Sequence, residues 1–265
     1  MIMKENIQDA IHAFQKGSLF DNSLHLLKTL CYQSEKRLHL QPNTAEGFLK
    51  TFNAESKLNA EKVLFDEWKQ VEVIFQLTEA ELTKQAAMFS VDKYDPNAPQ
   101  SYLFVAIELK GESYSRGKLA EITRQVNRVF PYPVMVLFAY KVKLSLSIID
   151  RRPNKRESEK DVLEKITIIK DIDIEETNRA HIEILYDLAL DNLYDEHGFT
   201  DFTGFHQAWR QTLDISELNK KFFRELASWY FWAVSECEFP YEYLPDEKRE
   251  NKTEKELKEE ANQIG

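Results

Sequence analysis

Glu108 and Lys110, in the run AIELKG, stand at the end of a stretch, Leu103–Ile107, that is continuously apolar. Residues two apart on a strand project to the same side, so a strand here presents both charges together. Isolated buried charge is costly, and the pair therefore requires either partners or a task. A metal-dependent phosphodiesterase centre is one such task. The carboxylate would hold Mg²⁺, a cation that takes oxygen ligands, and the lysine would orient the attacking water or stabilise charge developing on phosphate. Pairing of both residues with neighbouring charges at a wet strand end accounts for them equally well.

A metal site needs a second acid. Asp95, thirteen residues before Glu108, is a candidate in a DP loop, and Glu72, Glu79 and Glu81 are rivals. Local charge favours a phosphate partner. Between Lys110 and Lys160 there are 12 Lys and Arg against five acids, a charge of +7, which leaves −17 on the rest of a chain whose total is −10. Arg116, Lys118, Arg124 and Arg128 lie in that stretch and are candidate DNA contacts. The alternative is a solvated basic surface. Phe222, Phe223, Trp229, Tyr230, Phe231 and Trp232 could stack on bases, but their density suits packing better.

These residues need elements to position them. The run SYLFVAIELK predicts a strand buried on both faces, and PVMVLFAY a second. Between them Leu119, Ile122, Val126 and Val129 keep helical spacing over 118–130, with Pro131 and Pro133 as a stop. KLSLSIID alternates leucine and isoleucine with Ser145 and Ser147, which predicts a strand near the sheet edge with one wet face. VEVIFQL and KITIIKDI are further β-prone runs, and RRPNKR at 151–156 reads as a basic loop. Helices are expected over much of 1–50, over 59–70 with Asn59 as cap, from a Thr78/Glu81 capping box, over 179–193, and over 215–236. Strand, helix, strand, strand argues for a mixed sheet with a crossover at 111–130.

Composition narrows the field. Hydrophobic residues make up 43% of 265, enough for a sizeable core. Seven glycines form no GxG pair, which removes the dinucleotide fingerprint and the P-loop, so no nucleotide cofactor is expected. Two cysteines make no disulfide framework, and the six histidines show no zinc spacing. No apolar run reaches the roughly 18 residues of a membrane span, and the first residues do not follow a signal peptide's order. The expectation is a cytoplasmic protein without a membrane partner.

The order of buried strand, ExK at its end, crossover helix and second buried strand resembles the core of the PD-(D/E)XK nuclease superfamily. Gln125 resembles the helix glutamine of its RecB-like members. The phrases VEVIFQLTEAEL, FVAIELKGESYSRGKLAEITRQVNRVFPYPVMVLF, IIDRRPNKRESEKDVLEKITIIKDI and LNKKFFRELASWYFWAVSECEFP resemble the amino-terminal region of bacterial type IIG-like restriction–modification proteins. In these, a nuclease-type region precedes an adenine-specific DNA methyltransferase and a target-recognition region.

That resemblance, which runs through most of residues 60–240, implies an α/β, restriction-endonuclease-like mixed sheet; with the helical patterns at both ends, the expected division is a helical region at 1–55, a nuclease-like domain at 56–200 and a helical linker at 201–265. It implies Mg²⁺-dependent cleavage of DNA, with Glu108 as a metal ligand, Lys110 as the catalytic lysine and Gln125 in support; it matches no residue to the second metal-binding acid, for which Asp95 stays the first candidate beside Glu72, Glu79 and Glu81. The methyltransferase and target-recognition regions would be partners. This chain has neither the glycine-rich cofactor loop nor the (N/D)PP(Y/F) tetrapeptide of such a methyltransferase, so a piece of a longer protein is expected. A non-catalytic DNA-positioning or docking module, and an unrelated scaffold using the aromatic helix, are the competing readings.

Overall fold

The computed structural model describes residues 3–82, 101–130, 132–153, 161–213, 224–233, 253–257 and 259. The chain divides into two compact units, Met1–Asp214 and Ile215–Gly265. In the first, five strands form one sheet in chain order: β1 (Trp68–Thr78), β2 (Ser101–Leu109), β3 (Val134–Tyr140), β4 (Lys143–Pro153) and β5 (Asp161–Asp173). β2 and β3 are parallel and every other neighbouring pair is antiparallel, so the sheet is mixed. Antiparallel neighbours can join by short turns, as β3 and β4 do, but the parallel pair needs a crossover. The helix α6 (Arg116–Arg128) provides it.

β2 and β3 are apolar on both faces because both faces are covered. On one side α6 lays Leu119, Ile122 and Val126 against Leu103, Val105, Ile107, Val136 and Phe138. That layer also holds α3 (Ala45–Phe52), capped by Thr44, and the single turn α4 (Ala60–Val63), capped by Asn59. On the other side Tyr102, Phe104, Ala106, Met135 and Leu137 meet the helices α1 (Lys4–His12) and α2 (Leu19–Thr29), with α7 (Arg179–Asp187), α8 (Leu190–His197) and α9 (Phe202–Leu213). The Thr78/Glu81 capping box opens α5 (Glu79–Leu82), with the Thr78 amide donating to Glu81 Oε2 at 2.8 Å.

Four elements differ from what the sequence suggests. The helix expected over 59–70 stops after one turn, because Leu64 takes a left-handed backbone and Trp68 already begins β1. β4 is not an edge strand: it lies between β3 and β5, and Ser145 and Ser147 are fully buried. Their hydroxyls are satisfied internally, Ser147 by Thr123 of α6 at 2.8 Å and Ser145 by Tyr140 at 2.6 Å, so a polar face was hidden by small side chains rather than wetted. The basic stretch at 151–156 begins as strand, since β4 runs to Pro153. The single helix over 179–193 is two, broken at Leu188–Ala189. In the second unit, residues 224–233 are helical, and Trp229, Tyr230, Phe231 and Trp232 are exposed. No helix among the described residues is long and apolar enough to cross a membrane.

Ser23 is fully buried on α2, and its hydroxyl has no partner among the described residues where it lines an apolar cavity with Leu26, Phe104, Met135 and Ile172. An unmade buried hydrogen bond costs about 1–3 kcal/mol. Ser23→Ala is expected to stabilise the fold by about 1 kcal/mol in urea unfolding; a loss of stability would show that the hydroxyl is satisfied in solution.

On α9, His206 stacks on Tyr102 and its Nδ1 meets the Tyr102 hydroxyl. Burial, with Arg210 nearby, pushes the imidazole down to about 4. The unfolded chain, with an ordinary value near 6.5, then binds the extra proton first. This contribution to stability is complete above about pH 6.5 and is lost as pH falls towards 4. Of the order of 2 kcal/mol should separate wild type at pH 7 and pH 4 beyond what His206→Gln loses over the same range; parallel profiles would refute the assignment.

Candidate functional site

Glu108 is the penultimate residue of β2, opposite Gln70 of β1. Ile107 and Leu109 pack on the α6 side, as do Val71 and Val73, so Glu108, Gln70 and Glu72 share the other side of the sheet. Glu72 faces Ala106, which places it on the diagonal from Glu108, a spacing of about 7–8 Å between such Cα atoms. Glu72 is thus the rival acid that lies on the adjacent strand. Glu79 and Glu81 are at the far end of β1, the first bonded to the Phe202 amide and the second to Ser34, Lys36 and Thr78. Asp95 lies outside the described residues.

A β-bulge organises the two acids. The register slips between Trp68 and Gln70, so Lys69 is the extra residue. Lys69 Nζ lies 2.6 Å from Glu108 Oε1, and Gln70 Nε2 donates to Glu72 Oε1 at 2.6 Å, joined there by Asn43 Nδ2 at 2.6 Å. Each carboxylate therefore takes its partner from consecutive residues of one bulge. Lys110 turns to the preceding segment, its Nζ donating to the Asp66 carbonyl at 2.7 Å and its amide to the Glu67 carbonyl. The turn after it folds around Tyr114, whose hydroxyl accepts from the Gly111 amide and donates to Glu67. A Cβ at position 111 would lie 2.6 Å from that hydroxyl oxygen, which explains glycine there. Burial, then the bond to Glu67, pushes the Tyr114 phenol up.

Among the described residues no cluster of three or more His, Cys, Asp or Glu could hold a metal ion. Two carboxylates on one face nevertheless suit Mg²⁺, which is commonly held by one or two carboxylates plus substrate phosphates. Glu72 and Glu108 each have one oxygen engaged by the bulge, and a carboxylate oxygen is the ligand type that Mg²⁺ takes.

Gln125 is not brought to this place. It is fully buried on α6, on the opposite side of the sheet from Glu108. Its carbonyl accepts from the Asn59 amide at 3.1 Å and its amide donates to Glu121 at 2.8 Å. That donated hydrogen bond, with Arg124 and Lys62 adding charge, holds the Glu121 carboxyl below its usual range. Gln125 joins α6 to the cap of α4. Arg116, Arg124 and Arg128 fall on one row of α6 with spacings of eight and four residues, which repeats each helical turn. Arg116 donates to the Ile168 carbonyl, Arg124 pairs with Glu121, Arg128 reaches the Gln125 carbonyl at 3.5 Å, and Lys118 is exposed.

A second polar group, absent from the reading of the sequence, lies where β3, β4 and β5 meet. Tyr140 bonds Ser145 and Asp171, and Asp171 takes a left-handed backbone at a bulge in β5. Burial pushes the Tyr140 phenol up to about 12. Asp171 is held low, against the opposing effect of burial, by hydrogen bonds from Lys170 and Tyr140. The bulge at Lys69 did leave a trace in the sequence. Trp68 and Val71 are apolar and three apart, where an unbroken strand would place same-face residues two apart.

The model of the family described as a domain of unknown function, DUF4391, matches residues 100–261. The chain belongs to the DUF4391 family. The DUF4391 match begins at β2, so it takes in Glu108, Lys110 and α6 but leaves out β1 with Lys69, Gln70 and Glu72. It runs through the boundary between the two units and includes the aromatic helical residues 224–233. No curated protein and no solved structure matches this DUF4391 chain.

Gln125→Ala should cost about 1–3 kcal/mol in unfolding free energy, because it strands the Asn59 amide and a Glu121 oxygen. It should leave divalent-cation affinity unchanged in calorimetry. A variant of native stability that has lost cation binding would place Gln125 in the site instead.

Proposed function

We propose that this chain is a nuclease-like module of a restriction–modification system, which hydrolyses DNA phosphodiester bonds with Mg²⁺ in the cytoplasm. The observation that carries the reading is the order of elements around AIELKG. A strand with an acid, Glu72, pairs antiparallel with a strand ending in Glu108 and Lys110, and a crossover helix leads into a parallel neighbour. This is the arrangement expected of a PD-(D/E)XK core. In this reading Glu108 and Glu72 hold the cation, with Glu72 in the role for which Asp95 was the first candidate. Bound there, Mg²⁺ would polarise the phosphoryl oxygens. Lys110, released from the Asp66 carbonyl, would orient the attacking water and meet charge on phosphate. The arginine row of α6 and Lys118 would contact the backbone, and methyltransferase and target-recognition regions would supply specificity.

One observation favours a second reading, a DNA-positioning or docking module without catalysis. Glu108 and Lys110 both have protein partners, Lys69 and Asp66, so neither needs a reaction to explain it.

Calorimetric titration with Mn²⁺ and Mg²⁺ separates the two. Binding should be lost in Glu108→Ala and weakened at least tenfold in Glu72→Gln. Loss in the first with no change in the second would move the second ligand away from Glu72. Wild-type and Glu108→Ala titrations that are alike would remove hydrolysis from this chain and leave positioning as its work.

A further inference from the structure

Lys69 lies on the extra residue of a bulge, a feature that re-aims side chains beside functional sites. Its ammonium is the cation closest to Glu108 among the described residues, at 2.6 Å, and its side chain is 63% exposed against 28% for Glu108. An exposed pair of this kind contributes little net stability, so a stronger ligand for either partner can separate it. Two such ligands belong to the proposed reaction: a divalent cation for Glu108, and a backbone phosphate for Lys69. The adjacent acid is arranged differently. Glu72 is 7% exposed and takes two neutral amide donors, Asn43 and Gln70, which leave its charge in place.

We infer that Lys69 is a displaceable internal cation that shields Glu108 until a DNA phosphate draws it away, so that DNA and divalent-cation binding reinforce each other. The inference rests on the nuclease-like reading of Glu108 and concerns its regulation. With Lys69 on Glu108, an arriving cation meets a positive charge and a ligand already engaged. With Lys69 on phosphate, the carboxylate is open and the repulsion is gone. Linkage then requires that cation binding tighten DNA binding by the same factor. A free chain would hold its metal weakly and assemble the site on DNA, which limits cation-loaded enzyme away from its substrate.

The test is Mn²⁺ binding, followed by electron paramagnetic resonance, for wild type, Lys69→Gln, Lys69→Arg and Glu108→Ala, each with and without a phosphorothioate DNA duplex. Circular dichroism confirms that each variant is folded. Lys69→Gln should bind Mn²⁺ about five- to tenfold more tightly than wild type without DNA, and Lys69→Arg should match wild type. The duplex should tighten Mn²⁺ binding in wild type and add little in Lys69→Gln. Equal affinities of wild type and Lys69→Gln, with binding still lost in Glu108→Ala, would overturn the shielding role while leaving the metal site. Absence of any Glu108-dependent binding would overturn both together.

Discussion

Two adjacent parallel strands, β2 and β3, carry apolar residues on both faces, and water can be allowed on neither. Burying two faces needs two layers, so the amino-terminal helices and α7–α9 are gathered on one side and α6 with α3 and α4 on the other. In this pair of strands the cover gives out at the carboxyl end of β2, where Glu108 is half-buried and Lys110 exposed. There the apolar run gives way to Glu108 and Lys110, at the carboxyl ends of a parallel pair, the place where open α/β sheets generally bind their ligands. The position of the candidate site thus follows from the demand to bury the middle of the sheet.

How much of this was legible depended on the reach of the interactions. β2, α6 and β3 could be read because each buries a regular pattern against immediate neighbours in sequence. The Asn59 cap and the Thr78/Glu81 box are likewise local. Ser145 and Ser147 were misjudged because alternation reports polarity, not solvent. Whether a hydroxyl meets water or Thr123 is decided by a helix twenty residues earlier. The helix over 59–70 failed for the opposite reason. Val63, Leu64 and Trp68 have helical spacing, but Trp68 is claimed by the sheet and donates its indole N–H back to the Val63 carbonyl.

The candidate site was half legible. Glu108 and Lys110 announce themselves by type and spacing, whereas their partners come from β1 and the turn just before it, some forty residues away. Pairing across a sheet depends on register, and here a bulge changes the register at the decisive residue. Gln125 shows the limit of placing a residue by sequence distance from a motif. Its helix does follow the ExK strand, but crossing over carries it to the other side of the sheet, where it serves α4.

The hydroxyl pair of Thr123 and Ser147 has an effect beyond filling space. Apolar contacts between a helix and a sheet are forgiving about rotation, since one methyl group slides past another at little cost. A buried hydroxyl is not forgiving, because a roll of the helix would break this bond and take Thr123 away from the Ser147 oxygen. Thr123 also bonds the Leu119 carbonyl one turn back, which ties the side chain to the helix axis itself. The pair acts as a key in a slot. It sets the angle at which α6 rests on the sheet, and with it the direction in which Arg124 and Arg128 of the same helix must point.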